Sequence, residues 1–165
     1  MDNLKGSKIL LRPMILSDAE KVVEWRNNKN ILKWMFNKNK ISVEDHIKWF
    51  NSRVNRHDYI VLDKKNLKPI GTVNYVLNSK NKFEAEAGKL IGDQNYWGKG
   101  YAKEAFKIWI NFGFDNLSLN KIIVKTNVKN VKNIGLNLSL GFEKIKIINK
   151  DDNEILLMRI IKGEK

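Results

Sequence analysis

Apolar positions in the first part of the chain follow two different periods, one typical of strands and one typical of helices. Residues 9–12 predict a strand, which Pro13 closes because proline cannot donate to a sheet ladder. Residues 17–20 have the S-x-x-E form of a capping box and predict a helix that fades near residues 27–28. Residues 42–45 predict the start of a second helix, with acids that suit its dipole. The expected buried face of that helix consists of Ile47, Phe50 and Val54.

The rest of the chain predicts six further strands and two further helices. Gly88 lies inside one strand run, which is therefore expected to be broken or bulged, with a close backbone approach or a bend at the glycine. Gly141 suits the position just past a helix C-terminus. The strands are expected at residues 59–62, 70–76, 83–91, 121–126, 144–148 and 154–161, and the helices at about 99–114 and 130–140.

This order of elements predicts an α/β or α+β fold, with a sheet that carries helices on its faces. The chain contains neither an internal repeat nor a linker-like stretch, so we expect one domain over residues 1–165. It has no apolar run of about 18 residues and no pattern of a signal peptide. The absence of cysteine excludes disulfides and thiolate sites, and two histidines make a His-rich metal site an unfavourable hypothesis. A metal-free, cytoplasmic protein is the expectation.

The net charge of the chain favours anionic binding partners but does not identify one. The chain has 31 basic and 18 acidic residues, for a net charge of +13. Such an excess attracts nucleic acid, an anionic membrane or a phosphate-rich small molecule. The basic residues are scattered through every predicted element, so an alternative is that lysine is simply abundant in this sequence.

One loop has the pattern of a phosphate site. Residues 92–102 read GDQNYWGKGYA and lie between a predicted strand and a long predicted helix. Gly98 and Gly100 allow close approach to a ligand, and the helix start offers free N–H groups and the positive end of the dipole. The loop lacks the third small residue of a dinucleotide-binding fingerprint and the Gly-Lys-Ser/Thr end of a Walker A loop. Alone it is also compatible with an ordinary turn before a helix.

The surroundings of the loop resemble the GNAT family of N-acetyltransferases. Residues 97–102, WGKGYA, are similar to its acetyl-CoA loop, with Trp97 in place of Arg or Gln, and YWGKGYAKEA at 96–105 resembles the subgroup of ribosomal-protein acetyltransferases. Residues 130–142, with Asn130, Asn133 and a closing Leu-Gly-Phe, resemble the second family signature. Leu-Arg-Pro at 11–13 and Ala-Glu-Ala-Gly at 85–88 also fit. The resemblance implies a GNAT fold, with a mixed sheet of about seven strands splayed at the fourth and fifth and helices on both faces.

The resemblance also implies a catalytic arrangement. Acetyl-CoA is expected to lie between the splayed strands, with the backbone N–H near Leu90 receiving the thioester oxygen. Glu86, on the same strand face as Glu84, is the expected base. Asn137 stands where many members have a tyrosine acid, so the proton donor stays open between Tyr101, Tyr75, a water and unassisted departure. The expected cofactor-binding residues are Leu90, Ile91, Trp97, Gly98, Lys99, Gly100, Tyr101, Ala102, Lys103, Asn130, Asn133 and Asn137.

The first half of the chain is expected to bind the acceptor amine. Its order Trp-Arg-Asn at 25–27, then Met35, then Glu-x-His at 44–46 resembles the nucleotide-sugar N-acetyltransferases of the pseudaminic acid pathway. That resemblance implies a UDP-linked 4-amino-dideoxy sugar as substrate. It favours neither nucleic acid nor a membrane as partner and leaves a homodimer open. The expected substrate-binding residues are Arg26, Met35, Phe36, Phe50 and Tyr75.

Alternatives to this interpretation remain at the level of sequence. The aromatic residues between positions 25 and 50 are equally compatible with ordinary core packing. N-terminal acetylation of a protein is the nearest alternative activity, as the WGKGYA form suggests. A basic nucleic-acid-binding module is a more distant alternative, because single-strand binders combine a basic groove with exposed aromatic residues. A protein that binds acetyl-CoA without catalysis is a third.

Overall fold

A computed structural model of the chain describes residues 3–164. In that range the strands are β1 Leu4–Lys5, β2 Ile9–Pro13, β3 Arg56–Asp63, β4 Pro69–Leu77, β5 Glu84–Ile91, β6 Lys121–Asn127, β7 Glu143–Lys150 and β8 Asn153–Ile161. The helices are α1 Ala19–Asn27, α2 Lys29–Leu32, α3 Val43–Ser52, α4 Tyr101–Asp115 and α5 Val131–Ser139. Every strand and helix expected from the sequence is present, and β1 and α2 are additional.

The strands form one mixed sheet in the order β1-β2-β3-β4-β5-β6-β8-β7. Neighbours are antiparallel except β5 and β6, which run parallel. These two strands pair only from Glu84–Lys121 to Glu86–Ile123 and then separate, while β5 stays paired with β4 as far as Ile91. If the two-residue β1 is left aside, they are the fourth and fifth strands. The predicted splay between the fourth and fifth strands is therefore confirmed.

The period-two pattern of the strands sends apolar side chains to both faces of the sheet. Leu11 and Val61 lie on the face covered by α4, where Phe106 and Trp109 are buried. Ile60 and the other residues of alternate parity lie on the opposite face. That second face is covered by α1 to α3 and contains Met14, Val22, Trp25, Ile31, Ile60 and Leu62.

The two predicted helix starts had different outcomes. Ser42 caps α3 as expected, because its hydroxyl accepts from the N–H of Asp45 at 3.0 Å. The box predicted at residues 17–20 does not form, and α1 begins at Ala19 after a short 3-10 turn. Asp18 is responsible, because its carboxylate accepts from the N–H of Ile15 at 2.9 Å and from Arg12 at 2.6 and 2.8 Å.

The predicted buried face of α3 is partly wrong. The helix ends at Ser52, so Val54 lies beyond it and is 74% exposed. Ile47 and Phe50 are only partly buried, whereas His46 is 3% exposed. The buried side of α3 is therefore centred on a histidine that the hydrophobic pattern does not reveal.

Gly88 does not bend β5. The register with β4 continues through it, with Gly88 opposite Asn74. A Cβ atom at this position would lie 2.5 Å from Asn74 Oδ1, so close side-chain approach explains the glycine. The sheet irregularities occur elsewhere, at Val61/Leu62 in β3 and at Lys144/Lys146 in β7.

Candidate active site

A cleft of about 850 Å³ opens where β5 and β6 separate. Its walls come from opposite ends of the sequence, and we divide them into two halves. The glycine-loop half contains Trp97, Gly98, Gly100, Tyr101, Ala102, Lys103, Asn130 and Asn133. The arginine half contains Arg26, Trp34, Met35, Phe36, His46, Trp49, Arg56 and Asp58. The end of β5, from Glu86 to Ile91, lies between them.

The glycine loop has the backbone geometry that its sequence predicts. Gly98 and Gly100 have φ values of +70° and +83°, in the left-handed region that favours glycine. Gly100 is the N-cap of α4, and the first intrahelical bond runs from Glu104 N–H to the Gly100 carbonyl at 3.1 Å. The preceding helical N–H groups have no intrahelical acceptor, and the positive end of the dipole lies beside them. This loop fits a pyrophosphate.

Side chains fix the loop to the rest of the fold. The indole N–H of Trp97 donates to the Ile91 carbonyl at 2.7 Å, which ties the loop to the end of β5. Lys8 Nζ donates to the Lys99 carbonyl at 3.1 Å, and the Lys99 side chain does not line the cleft. Trp97 thus positions the loop through its side chain. Lys99 takes part through its backbone carbonyl, which Lys8 binds from outside the cleft.

The backbone of β5 alternates between two directions, one toward β4 and one toward the gap beside β6. The Glu84 carbonyl accepts from Asn78 N–H, and Gly92 N–H donates to the Ile70 carbonyl. The backbone N–H and C=O groups of the even-numbered residues of β5 therefore point toward β4. Leu90 is one of them, so its N–H is directed into the sheet and is not the free donor that was expected there.

The backbone N–H and C=O groups of the odd-numbered residues Lys89 and Ile91 point toward the gap instead. Their N–H groups lie beyond Glu86, the last β5 residue paired with β6. A free donor at a strand that has lost its neighbour is the feature that a thioester oxygen needs. Divergence of the strands supplies it, and the bulge expected at Gly88 is not required.

Glu86 lies at the point of separation and lines the cleft. Its side chain is 43% exposed and forms an ion pair with Lys125 Nζ at 2.7 Å. Glu84, the other candidate, pairs with Lys121 Nζ at 2.5 Å and does not line the cleft. Of the two carboxylates, Glu86 is therefore the one that can reach a reacting amine.

Lys89 is the feature of the site that sequence reasoning missed. Its Nζ lies 4.1 Å from the centre of the Phe106 ring and 2.5 Å from Asn137 Oδ1. Burial lowers the pKa of the Lys89 amino group from 10.5 to about 7. The sequence did contain a signal for it. Lys89 alternates with the apolar residues Ala87 and Ile91 on the core-facing side of β5, where a lysine is unexpected.

Asn137, expected to contact the cofactor, does not line the cleft. It is fully buried under α5, where its Nδ2 lies 3.4 Å from Thr126 Oγ1. Asn133 also donates to Thr126 Oγ1, at 2.9 Å, but it lines the cleft, as does Asn130, whose side chain caps α5. The second sequence signature therefore places two of its three asparagines in the site.

The arginine half contains more positive than negative charge. The carboxylate of Asp58 is buried and pairs with Arg56 at 2.9 Å and Arg53 at 3.9 Å. Arg26 forms none of the ion pairs found between residues 3 and 164, and burial, with the nearby Arg56 charge, lowers its pKa. Burial, and then the charge of Arg26, also lowers the pKa of His46. Neither ring nitrogen of His46 has a hydrogen-bond partner among the described residues.

Two of the expected substrate residues do not line the cleft. Tyr75 is fully buried in the core, where its hydroxyl donates to the Trp109 carbonyl at 2.8 Å and its ring stacks on Trp109. Burial raises the pKa of that hydroxyl, so Tyr75 serves neither as substrate contact nor as acid. Phe50 packs under the guanidinium of Arg53, 3.5 Å from the ring centre. The prediction is wrong for Tyr75 because its even spacing from Val73 puts it on the α4 face.

Two kinds of feature are absent from residues 3–164. No group of three or more His, Asp or Glu side chains suited to a metal ion occurs between residues 3 and 164. Over the same range, no helix is long and apolar enough to cross a membrane.

Similarity to known proteins identifies the family of this chain. The profile of the acetyltransferase (GNAT) domain matches residues 8–143. The N-acetyltransferase p20 of Bacillus licheniformis is 32% identical over 152 residues, which cover 87% of this chain and 84% of that protein. A protein of Methanocaldococcus jannaschii is 32% identical over 145 residues, which cover 86% of this chain. The same residues cover only 29% of the length of that protein. The spermidine N-acetyltransferase of Vibrio cholerae, solved with CoA and spermine, superposes with a TM-score of 0.85 at 23% identity, over 96% of this chain and 98% of that one.

Proposed function

Since this chain belongs to the GNAT family of acetyltransferases, we propose that its acceptor is the amino group of a nucleotide-linked amino sugar, of the UDP-4-amino-dideoxy type. Membership of the family makes the chain an N-acetyltransferase that uses acetyl-CoA. The observation that carries the choice of acceptor is the arginine half of the cleft. There Arg26 is partly buried and has no ion-pair partner in the described part of the chain.

A partly buried cation without an ion-pair partner favours an anionic ligand, because a ligand anion would restore the interactions that burial removes. Arg26 and Arg56 lie close enough for each charge to act on the other. Asp58, the carboxylate in this half, is already paired. A polyamine would need unpaired carboxylates here, so the charge balance supports a phosphate-bearing acceptor.

The remaining wall of the arginine half is apolar and aromatic. Trp34, Met35 and Phe36 follow α2, and Trp49 on α3 lies beside His46 with ring centres 4.9 Å apart. Flat side chains of this kind stack on a base or a sugar ring. The order Trp-Arg-Asn at 25–27, Met35 and Glu-x-His at 44–46 also resembles that of the pseudaminic acid pathway enzymes, which supports the same acceptor class.

The rest of the cleft supports a direct attack of the amine on the thioester. Acetyl-CoA supplies the activated acetyl group when it is bound. We assign the pyrophosphate to the glycine loop, with Lys103, Asn130 and Asn133 as further contacts. The gap-facing N–H groups of Lys89 and Ile91 are the proposed donors to the thioester oxygen. Glu86 would take a proton from the amine, directly or through a water.

An acceptor assay tests the proposal. Purified protein and acetyl-CoA are incubated with UDP-4-amino-dideoxy sugars, with peptides that carry free N-termini, and with spermidine, and release of CoA is followed. We expect turnover of the nucleotide sugars at a kcat/KM at least a hundredfold above that of the other two. Turnover of peptides alone would replace this proposal with N-terminal acetylation.

Two variants separate recognition of the acceptor from the chemistry. Arg26→Gln should raise the KM of a nucleotide sugar about tenfold or more, equivalent to about 1.4 kcal/mol for one lost charged hydrogen bond, and leave the KM of acetyl-CoA unchanged. Glu86→Gln should instead lower kcat by about 10² or more near neutral pH, since a positioned base contributes that much. An Arg26→Gln enzyme with an unchanged acceptor KM would remove the anion site from the proposal.

A further inference from the structure

Lys89 lies in the wall of the cleft beside the gap between β5 and β6. The residue follows Glu86, where the strands separate, and its side chain extends toward the α4 side of the sheet. There it meets the face of Phe106 and the side-chain carbonyl of Asn137. The backbone N–H of the same residue faces the gap. One residue therefore brings both a backbone N–H and an amino group close to the place where the thioester is expected.

Asn137 is held so that its carbonyl end meets Lys89. Its Nδ2 lies 3.4 Å from Thr126 Oγ1 and 3.9 Å from the Met158 sulfur. Its Oδ1 accepts from Lys89 Nζ at 2.5 Å. An amide cannot donate a proton to a leaving group, but a carbonyl oxygen can orient an ammonium.

We propose that Lys89 donates a proton to the sulfur of CoA as the thioester breaks, with Asn137 as its positioning residue. The amine nitrogen forms a bond to the acetyl carbon, and the carbon–sulfur bond breaks with its electron pair on sulfur. The sulfur takes a proton from the Lys89 ammonium, and the proton lost by the amine reaches solvent through Glu86. Lys89 then regains a proton from solvent. The proposal rests on acetyl transfer alone and does not depend on the acceptor.

Proton affinities support this direction of transfer. An alkyl thiol has a pKa of about 8.5, whereas burial lowers that of Lys89 to about 7. A proton therefore moves downhill from Lys89 to the thiolate, which it would not do from a lysine of ordinary pKa, 10.5.

The surroundings of Lys89 explain why burial dominates its protonation. Phe106 faces it from α4 and Asn137 from α5, with Thr126 of β6 behind the asparagine. None of these three is charged. The other ionisable groups that line this part of the cleft are Glu86, Lys103, Lys125, Lys132, Tyr96 and Tyr101.

The first test compares wild type with Lys89→Met, which keeps the length and apolar contacts of the stem. We expect kcat to fall by about 10² or more, in the range of general acid catalysis, while the KM of acetyl-CoA changes less than threefold. Wild-type kcat should fall as the pH rises above about 7, and the variant should lose this limb. Stabilisation by CoA in a thermal melt confirms that the variant is folded and binds. A variant with wild-type kcat, or with the limb retained, would overturn the proposal.

The second test reads the amino group directly. Lysine 13Cε chemical shifts, with the Lys89 signal assigned by its loss in Lys89→Met, are titrated in wild type and Asn137→Asp. A carboxylate at position 137 stabilises the ammonium, so the Lys89 titration and the high-pH limb of kcat should both move upward, by the same amount. Independent movement of the two would exclude Lys89 as the titrating group. Acetylation of Lys89 after incubation with acetyl-CoA would show that it is a nucleophile and refute its role as acid.

Discussion

Single residues in this cleft derive their properties from a lack of solvent. Lys89 and Arg26 each have a pKa lowered first of all by burial, and in each case the charged form is the one that burial disfavours. Lys89 responds by approaching neutrality near pH 7. Arg26 remains charged at any physiological pH, so it is left to attract an anion. The same physical effect would thus give the proposed acid at the end of β5 and the proposed binding cation in the arginine half.

The lowered pKa of Lys89 also predicts how stability depends on pH. In the unfolded chain the Lys89 amino group, with its ordinary pKa of 10.5, binds its proton up to about pH 10.5, but in the folded protein only up to about pH 7. Between these values the unfolded state binds more protons, so the free energy of unfolding rises with pH. Relative to Lys89→Met, wild type should gain about 3 kcal/mol between pH 7 and pH 9.5. Urea unfolding of both proteins at the two pH values measures the difference. If the free energy of unfolding changed with pH equally in the two proteins, burial would not lower the pKa of Lys89.

The sequence predicted the cleft residues that turn geometry or a local strand pattern determines, and it misplaced residues whose position depends on the pairing of distant strands. Gly98, Gly100 and Glu86 lie on the cleft because turn geometry and a local strand pattern determine them. Leu90 and Tyr75 were misplaced, since an even or odd position in a strand decides both the face of the sheet and the direction of the N–H. That parity follows from pairing with distant strands, which a local pattern does not contain.

At the scale of elements, most helices and strands were predictable because their apolar period is long enough to read. The exceptions are short or depend on tertiary contacts. α2 has four residues, too few for a periodic pattern, and the start of α1 was displaced because Asp18 bonds Arg12 in β2 instead of leaving the cap to Ser17. The splay of β5 and β6 came from the family resemblance, since nothing in either strand alone requires it.

The junction between the glycine loop and α4 gives a prediction for an element. Gly100 has a φ of +83°, which costs an alanine about 1–2 kcal/mol. In Gly100→Ala the loop should leave this conformation, the KM of acetyl-CoA should rise about tenfold, and the protein should lose about 1 kcal/mol of stability. Gly135→Ala is the matched control, because Gly135 lies in α5 with no neighbouring atom within 4 Å of an added Cβ. It should leave the KM unchanged and add up to about 1 kcal/mol, and equal KM values for the two variants would refute the cradle.

For the whole molecule, the question is whether its net charge of +13 acts as a general field or through particular residues. Basic residues occur in almost every element, but many of them already face acids. Lys121, Lys125 and Arg159, for example, are each paired with a glutamate. Arg26, in contrast, is in the cleft and has no ion-pair partner in residues 3–164. The other basic residues without an ion pair in the described chain are lysines spread over many elements. They would contribute to the general field, whereas Arg26 would act as a local site.

Salt dependence distinguishes a general field from a local site. Exposed charges are screened over about 10 Å at 0.1 M salt, while partly buried ones are screened much less. If the whole field steers the acceptor, kcat/KM for a nucleotide sugar should fall steeply between 0.01 and 0.3 M salt. Arg26→Gln removes only one charge of many, so the variant should then show the same slope. If Arg26 acts as proposed, the variant should lose about tenfold at every salt concentration, and most of that loss should persist at 0.3 M. We expect the second outcome for the acceptor. For acetyl-CoA, which would meet the exposed lysines beside the glycine loop, we expect a steep slope that Arg26→Gln leaves unchanged. A parallel loss for both substrates would show that Arg26 supports the fold of the cleft and does not bind the acceptor.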